Sequence, residues 1–103
     1  MDSEKKRPSI EIELDERQAS GTYSNLVMIA HSHTEFVLDF LTVMPGVPKA
    51  RVVKRMVVNP IQAKKLAIAL RENVQNYEQN FGEIEVREKV DVPMNFRGPM
   101  PEA

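Results

Sequence analysis

His31, Ser32, His33 and Glu35 are the residues whose types and spacing most invite chemistry. On an extended backbone His31, His33 and Glu35 would share one side, and two imidazoles beside a carboxylate make a possible metal-ligand set. The stretch His31-Ser32-His33-Thr34 is polar and short between two apolar runs, so it reads as a hairpin turn. A turn breaks the alternation, and no fourth ligand stands nearby, so neither a metal site nor a cofactor is expected. Ser32 between two histidines makes no hydrolase either, because a triad needs side chains converging from separate elements. The absence of cysteine removes thiolate nucleophiles and Cys-built zinc sites. Gly21, Gly46, Gly82 and Gly98 are too scattered for a phosphate-cradling loop. The expectation is a protein that is not an enzyme.

Two further features carry charge. Asp39 lies between Leu38 and Phe40 in an apolar run, where an unpaired carboxylate would be costly to bury. Arg51 or Arg55 on a neighbouring strand would supply a charge-assisted partner, which makes Asp39 a structural residue. Asn25 calls for the same reading, a satisfied hydrogen bond. The second feature is the run from Phe40 to Arg71, which holds seven basic residues and no acidic one, although the whole chain has a net charge of −1. Arg51, Arg55, Lys64 and Lys65 form a candidate anion patch on a strand and the first turns of a helix. No aromatic is interleaved there for base stacking, so nucleic-acid binding ranks as the alternative reading.

The elements that must position these residues follow from hydrophobic period. Ile10, Ile12 and Leu14 alternate with Glu11, Glu13 and Asp15, which predicts a first strand. Ser20-Gly21 signals a turn, and further strands are predicted over residues 22–30, 35–43 and 50–58, the last two separated by Pro45-Gly46-Val47-Pro48. Asn59-Pro60 is a helix start, with Asn59 as cap and Pro60 in the first turn. Apolar residues then recur at three- and four-residue steps from Ala63 to Phe81, and Gly82 is the natural stop. The predicted fold class is α+β: a four-stranded antiparallel sheet, one long amphipathic helix packed on one face, and a C-terminal extended arm. Residues 1–8 read as a solvated tail, 9–90 as one domain and 91–103 as a proline-rich arm.

Strands two and three are apolar on both sides, more than one helix can cover, and a large exposed apolar patch on such a chain marks an interface. The expectation is therefore a homo-oligomer, with a dimer favoured, and a protein partner is the other occupant considered. Val37, Leu41, Val43, Val27 and Ile29 are the interface candidates. At 103 residues, 42% hydrophobic and 28% charged, the chain is long enough for one small globular domain. Lacking cysteine, a signal-peptide pattern and any run of about 18 apolar residues, it is expected in the cytoplasm, with no membrane partner.

Several stretches together resemble a known group: Tyr23-Ser24-Asn25-Leu26, Thr34-Glu35-Phe36-Val37-Leu38-Asp39-Phe40, Pro45-Gly46-Val47, Asn59-Pro60-Ile61-Gln62-Ala63-Lys64 and Asn80-Phe81-Gly82-Glu83-Ile84. They are similar to the small prokaryotic proteins of domain of unknown function family 3467, over roughly residues 10–84. The resemblance implies a family without an assigned activity. It carries over Asn25, Glu35, Asp39, Gln62 and Lys64 and attaches no role to them; His33 departs from the proline expected there. Strands followed by a long helix also resemble the layout of SecB-like export chaperones, which makes an apolar client surface a natural expectation.

Overall fold

The computed structural model describes residues 9–87. The fold is α+β, with a short helix α1 (Glu16–Ala19), three strands β1 (Leu26–His31), β2 (Phe36–Thr42) and β3 (Arg51–Val58), and a 22-residue helix α2 (Pro60–Phe81). The sheet is antiparallel in the order β1-β2-β3.

The sheet has three strands where four were expected. Residues 9–14 form no regular element and join no ladder, and Ile12 is 92% exposed. Alternation of side chains describes any extended segment; a strand also needs a neighbour for its backbone N–H and C=O groups, and this segment has none among the described residues. Between it and the Ser20-Gly21 turn lies α1, not anticipated from sequence, capped by the Asp15 side chain, which accepts from the Arg17 amide at 3.1 Å. No strand forms over residues 83–87, and residues 88–90, the 1–8 tail and the 91–103 arm lie outside the described residues.

Local chemistry accounts for the connections. The β1–β2 hairpin closes with Ser32 N–H donating to the Glu35 carbonyl at 2.9 Å, while the Ser32 hydroxyl accepts from the amides of Thr34 and Glu35. Between β2 and β3, Val47 N–H donates to the Met44 carbonyl at 3.1 Å, with Pro45 and Gly46 at the turn centre and Gly46 at φ +80°. Proline first and a positive-φ glycine second is the sequence a type II turn demands. Asn59 caps α2 by accepting from the Gln62 amide at 2.7 Å, Pro60 opens it, and Gly82 ends it at φ +100°.

Burial concentrates on β2, the strand with neighbours on both sides. Val37, Leu38, Asp39 and Leu41 are buried there, joined by Ala30 of β1, and Val37 is the most enclosed at 2% exposure. The expected packing of the long helix does not bury its stripe: none of the 22 residues of α2 is buried. The sheet core and the helix stripe are therefore separate apolar features of one chain.

Candidate interaction surface

The pairing register assigns every strand residue to a face. Leu26, Met28 and Ala30 of β1 stand opposite Leu41, Asp39 and Val37 of β2; on the other face Val27, Ile29 and His31 oppose Phe40, Leu38 and Phe36. β3 continues this as far as Lys54 opposite Phe40, then skips one residue, so that Val52 opposes Leu41 and Arg51 opposes Thr42. Val53 is the extra residue of a bulge. The bulge changes the parity of the strand. A regular strand would put Arg51 and Arg55, four residues apart, on one face; with the bulge they lie on opposite faces, Arg51 with Lys54 on the Phe40 side and Arg55 on the Asp39 side.

Arg55 meets Asp39 as a two-point fork. Its Nε donates to Asp39 Oδ1 at 2.7 Å and its Nη2 to Oδ2 at 2.8 Å, and Asp39 is only 4% exposed. The hydrogen bonds to Asp39, aided by the attraction of its charge, raise the Arg55 pKa above the ordinary arginine value against the opposing effect of burial. Of the two arginines weighed as partners, Arg55 is the one that pairs. Every buried side-chain N or O atom among the described residues has a hydrogen-bond partner. The pair thus satisfies a carboxylate in the core, and it takes Arg55 out of the candidate anion patch. Lys64 and Lys65 sit in the second turn of α2, apart from it in sequence and element.

Asn25 is also satisfied, in a way that extends the sheet. Its Oδ1 accepts from Val43 N–H at 2.8 Å and its Nδ2 donates to the Val43 carbonyl at 2.9 Å, so the side-chain amide pairs with a backbone unit as a strand residue would. Next to it, the Ser24 hydroxyl donates to the Leu41 carbonyl at 2.8 Å, and Asn25 N–H donates to the same carbonyl. Ser24 was not singled out from sequence; only its place before an asparagine at a strand start hinted at this clamp. The hairpin expected at His31–Thr34 turns over Ser32, His33 and Thr34, while His31 is the last residue of β1 and stacks on Phe36 at 5.2 Å.

The five interface candidates separate into two groups. Val37 and Leu41 are buried within the chain, whereas Ile29 and Val43 are exposed and Val27 is half-buried. Val27 and Ile29 lie on the face opposite Val37 and Leu41, so the five do not form one surface. The larger apolar surface belongs to α2. Leu66, Leu70, Val74, Tyr77 and Phe81 are all exposed, Leu70 at 59% and Phe81 at 75%, and Tyr77 and Phe81 rest on each other with ring centroids 5.0 Å apart. No helix among the described residues is long and apolar enough to cross a membrane, so this stripe is not a bilayer span.

The class is thus a small α+β protein with a three-stranded antiparallel sheet, a buried Asp–Arg fork and a long helix whose apolar side is open. Residues 1–86 match the model of the family described as "Protein of unknown function (DUF3467)", and the chain belongs to that family. No curated protein and no solved structure matches it.

Proposed function

We propose that this protein is a non-enzymatic, cytoplasmic, protein-binding unit that works as a homo-oligomer, with a dimer as its smallest form. The observation that carries the reading is α2: a 22-residue helix with a full apolar stripe and no buried residue. Leaving Leu, Val, Tyr and Phe side chains in water forgoes about 1.5–3 kcal/mol each, and closed homo-oligomers are the commonest way such surfaces are covered. The alternating Ile10-to-Leu14 segment, which joins no ladder among the described residues, adds further exposed apolar side chains. Once assembled, the protein offers remaining apolar surface to other proteins in the manner of an adaptor or chaperone. The basic residues do not favour nucleic acid as the partner, because Arg51 and Arg55 diverge and Arg55 is engaged with Asp39.

Sedimentation velocity over a hundredfold range of concentration tests the reading. A species of about twice the 11.8 kDa chain mass or a larger symmetric multiple is expected. A stable, cooperatively unfolding monomer throughout that range refutes it.

A further inference from the structure

We infer that α2 pairs with α2 of a second copy as an antiparallel two-stranded coiled coil; this rests on the homo-oligomer reading and specifies its interface. The stripe residues Ala63, Ala67, Leu70, Val74, Tyr77 and Phe81 are spaced four, three, four, three and four residues apart, with no break over the whole helix. Alternating steps of four and three place these residues at the two apolar positions of a heptad, the seam that a partner helix covers in a coiled coil. Ala63 is half-buried and the other five members of this seam are exposed.

Charge sets the direction. α2 carries Lys64 and Lys65 in its N-terminal half, Arg71 at its midpoint and Glu72 and Glu78 in its C-terminal half, with no acidic residue in the first turn and no basic residue in the last. This is the reverse of what the helix dipole favours within a single helix. An antiparallel second copy resolves the inversion, because each basic N-terminal half then lies beside the partner's acidic C-terminal half, and the two dipoles oppose. In the heptad, Lys64, Arg71 and Glu78 share the position flanking the seam on one side, and antiparallel pairing brings that flank against its own copy. Lys64 then faces the Glu78 position of the second copy, twice by symmetry, and Arg71 faces Arg71 near the axis. A parallel pair would instead set Arg71 against Leu66 and Glu78 against Asn73, with no charge matched.

Two charge reversals and one neutralisation, read by sedimentation equilibrium at low salt on the full chain, test the register. Lys64→Glu and Glu78→Lys each replace two attractions by two repulsions and are expected to weaken self-association about tenfold. An equimolar mixture of the two variants recovers wild-type affinity, because both flanking pairs are then attractive, and the recovery fades at high salt. Since the Glu78 carboxylate also accepts from Ile84 N–H at 3.0 Å, Glu78→Lys disturbs the helix end as well. Arg71→Gln removes the only like-charge contact at the axis and is expected to tighten association, an effect that misfolding does not produce. Oligomers that persist while the mixture shows no recovery, or Arg71→Gln that fails to tighten, overturn the antiparallel helix pair and leave the homo-oligomer reading standing. A monomer in every sample, wild type included, overturns both.

Discussion

Replacing Asn25 probes how β2 is held beyond its last ladder pair. In Asn25→Ala two side-chain hydrogen bonds to Val43, at 2.8 and 2.9 Å, are lost together. A hydrogen bond contributes roughly 0.5–1.5 kcal/mol net, and Asn25 is exposed, so the freed Val43 groups regain water and the low end applies to each. The loss is therefore about 1 kcal/mol in total, equivalent to a fall in Tm of roughly 4–8 °C for a domain of this size. Asn25→Asp separates the two bonds. Its carboxylate still accepts from Val43 N–H but sets an oxygen against the Val43 carbonyl where Nδ2 donated. In the folded variant that oxygen favours the protonated form, so the folded pKa is raised above the unfolded value of about 3.9. Protonation then favours folding: the penalty is full above the folded pKa and is relieved as pH falls through it. Urea unfolding followed by circular dichroism, at one protein concentration and at pH 7 and pH 3.5, measures each variant against wild type at the same pH. An alanine variant with an unchanged midpoint, or an aspartate variant whose deficit does not shrink at pH 3.5, refutes the strand-mimic role of Asn25.

Other perturbations follow from the same geometry. Arg55→Met leaves the buried Asp39 carboxylate without its guanidinium and should lower the urea midpoint more than Asp39→Asn, which leaves an exposed arginine free to reach water. The double variant should cost less than the sum of the two, as a double-mutant cycle would show; strict additivity would mean that the fork is not coupled. Val37→Ala empties part of the best-enclosed position in the sheet and should cost about 2 kcal/mol, read by the same unfolding curves, with a neutral result placing the core elsewhere. Asn59→Ala removes the cap on Gln62 N–H and should cost about 1 kcal/mol, with lowered helical ellipticity as the second signal.

What the amino-acid sequence determined by itself is everything governed by neighbours along the chain. Asn59-Pro60 and Gly82 delimit α2 because capping, proline in the first turn and positive φ are local requirements. Pro45-Gly46 and Ser32 make their turns for the same reason, and the need of Asp39 for a cation followed from the cost of burying a lone carboxylate. The family, too, was legible in short stretches such as the one from Glu35 to Phe40. Only the tertiary structure decided matters that depend on register and partners. Ile10, Ile12 and Leu14 alternate as well as any strand does, yet no sheet edge among the described residues accepts them. The bulge at Val53, which no residue type announces, inverted the face of Arg51, so the choice between Arg51 and Arg55 came from pairing alone. Whether the α2 stripe met its own sheet was likewise beyond periodicity, because an amphipathic pattern states that a face needs cover and is silent on which surface provides it.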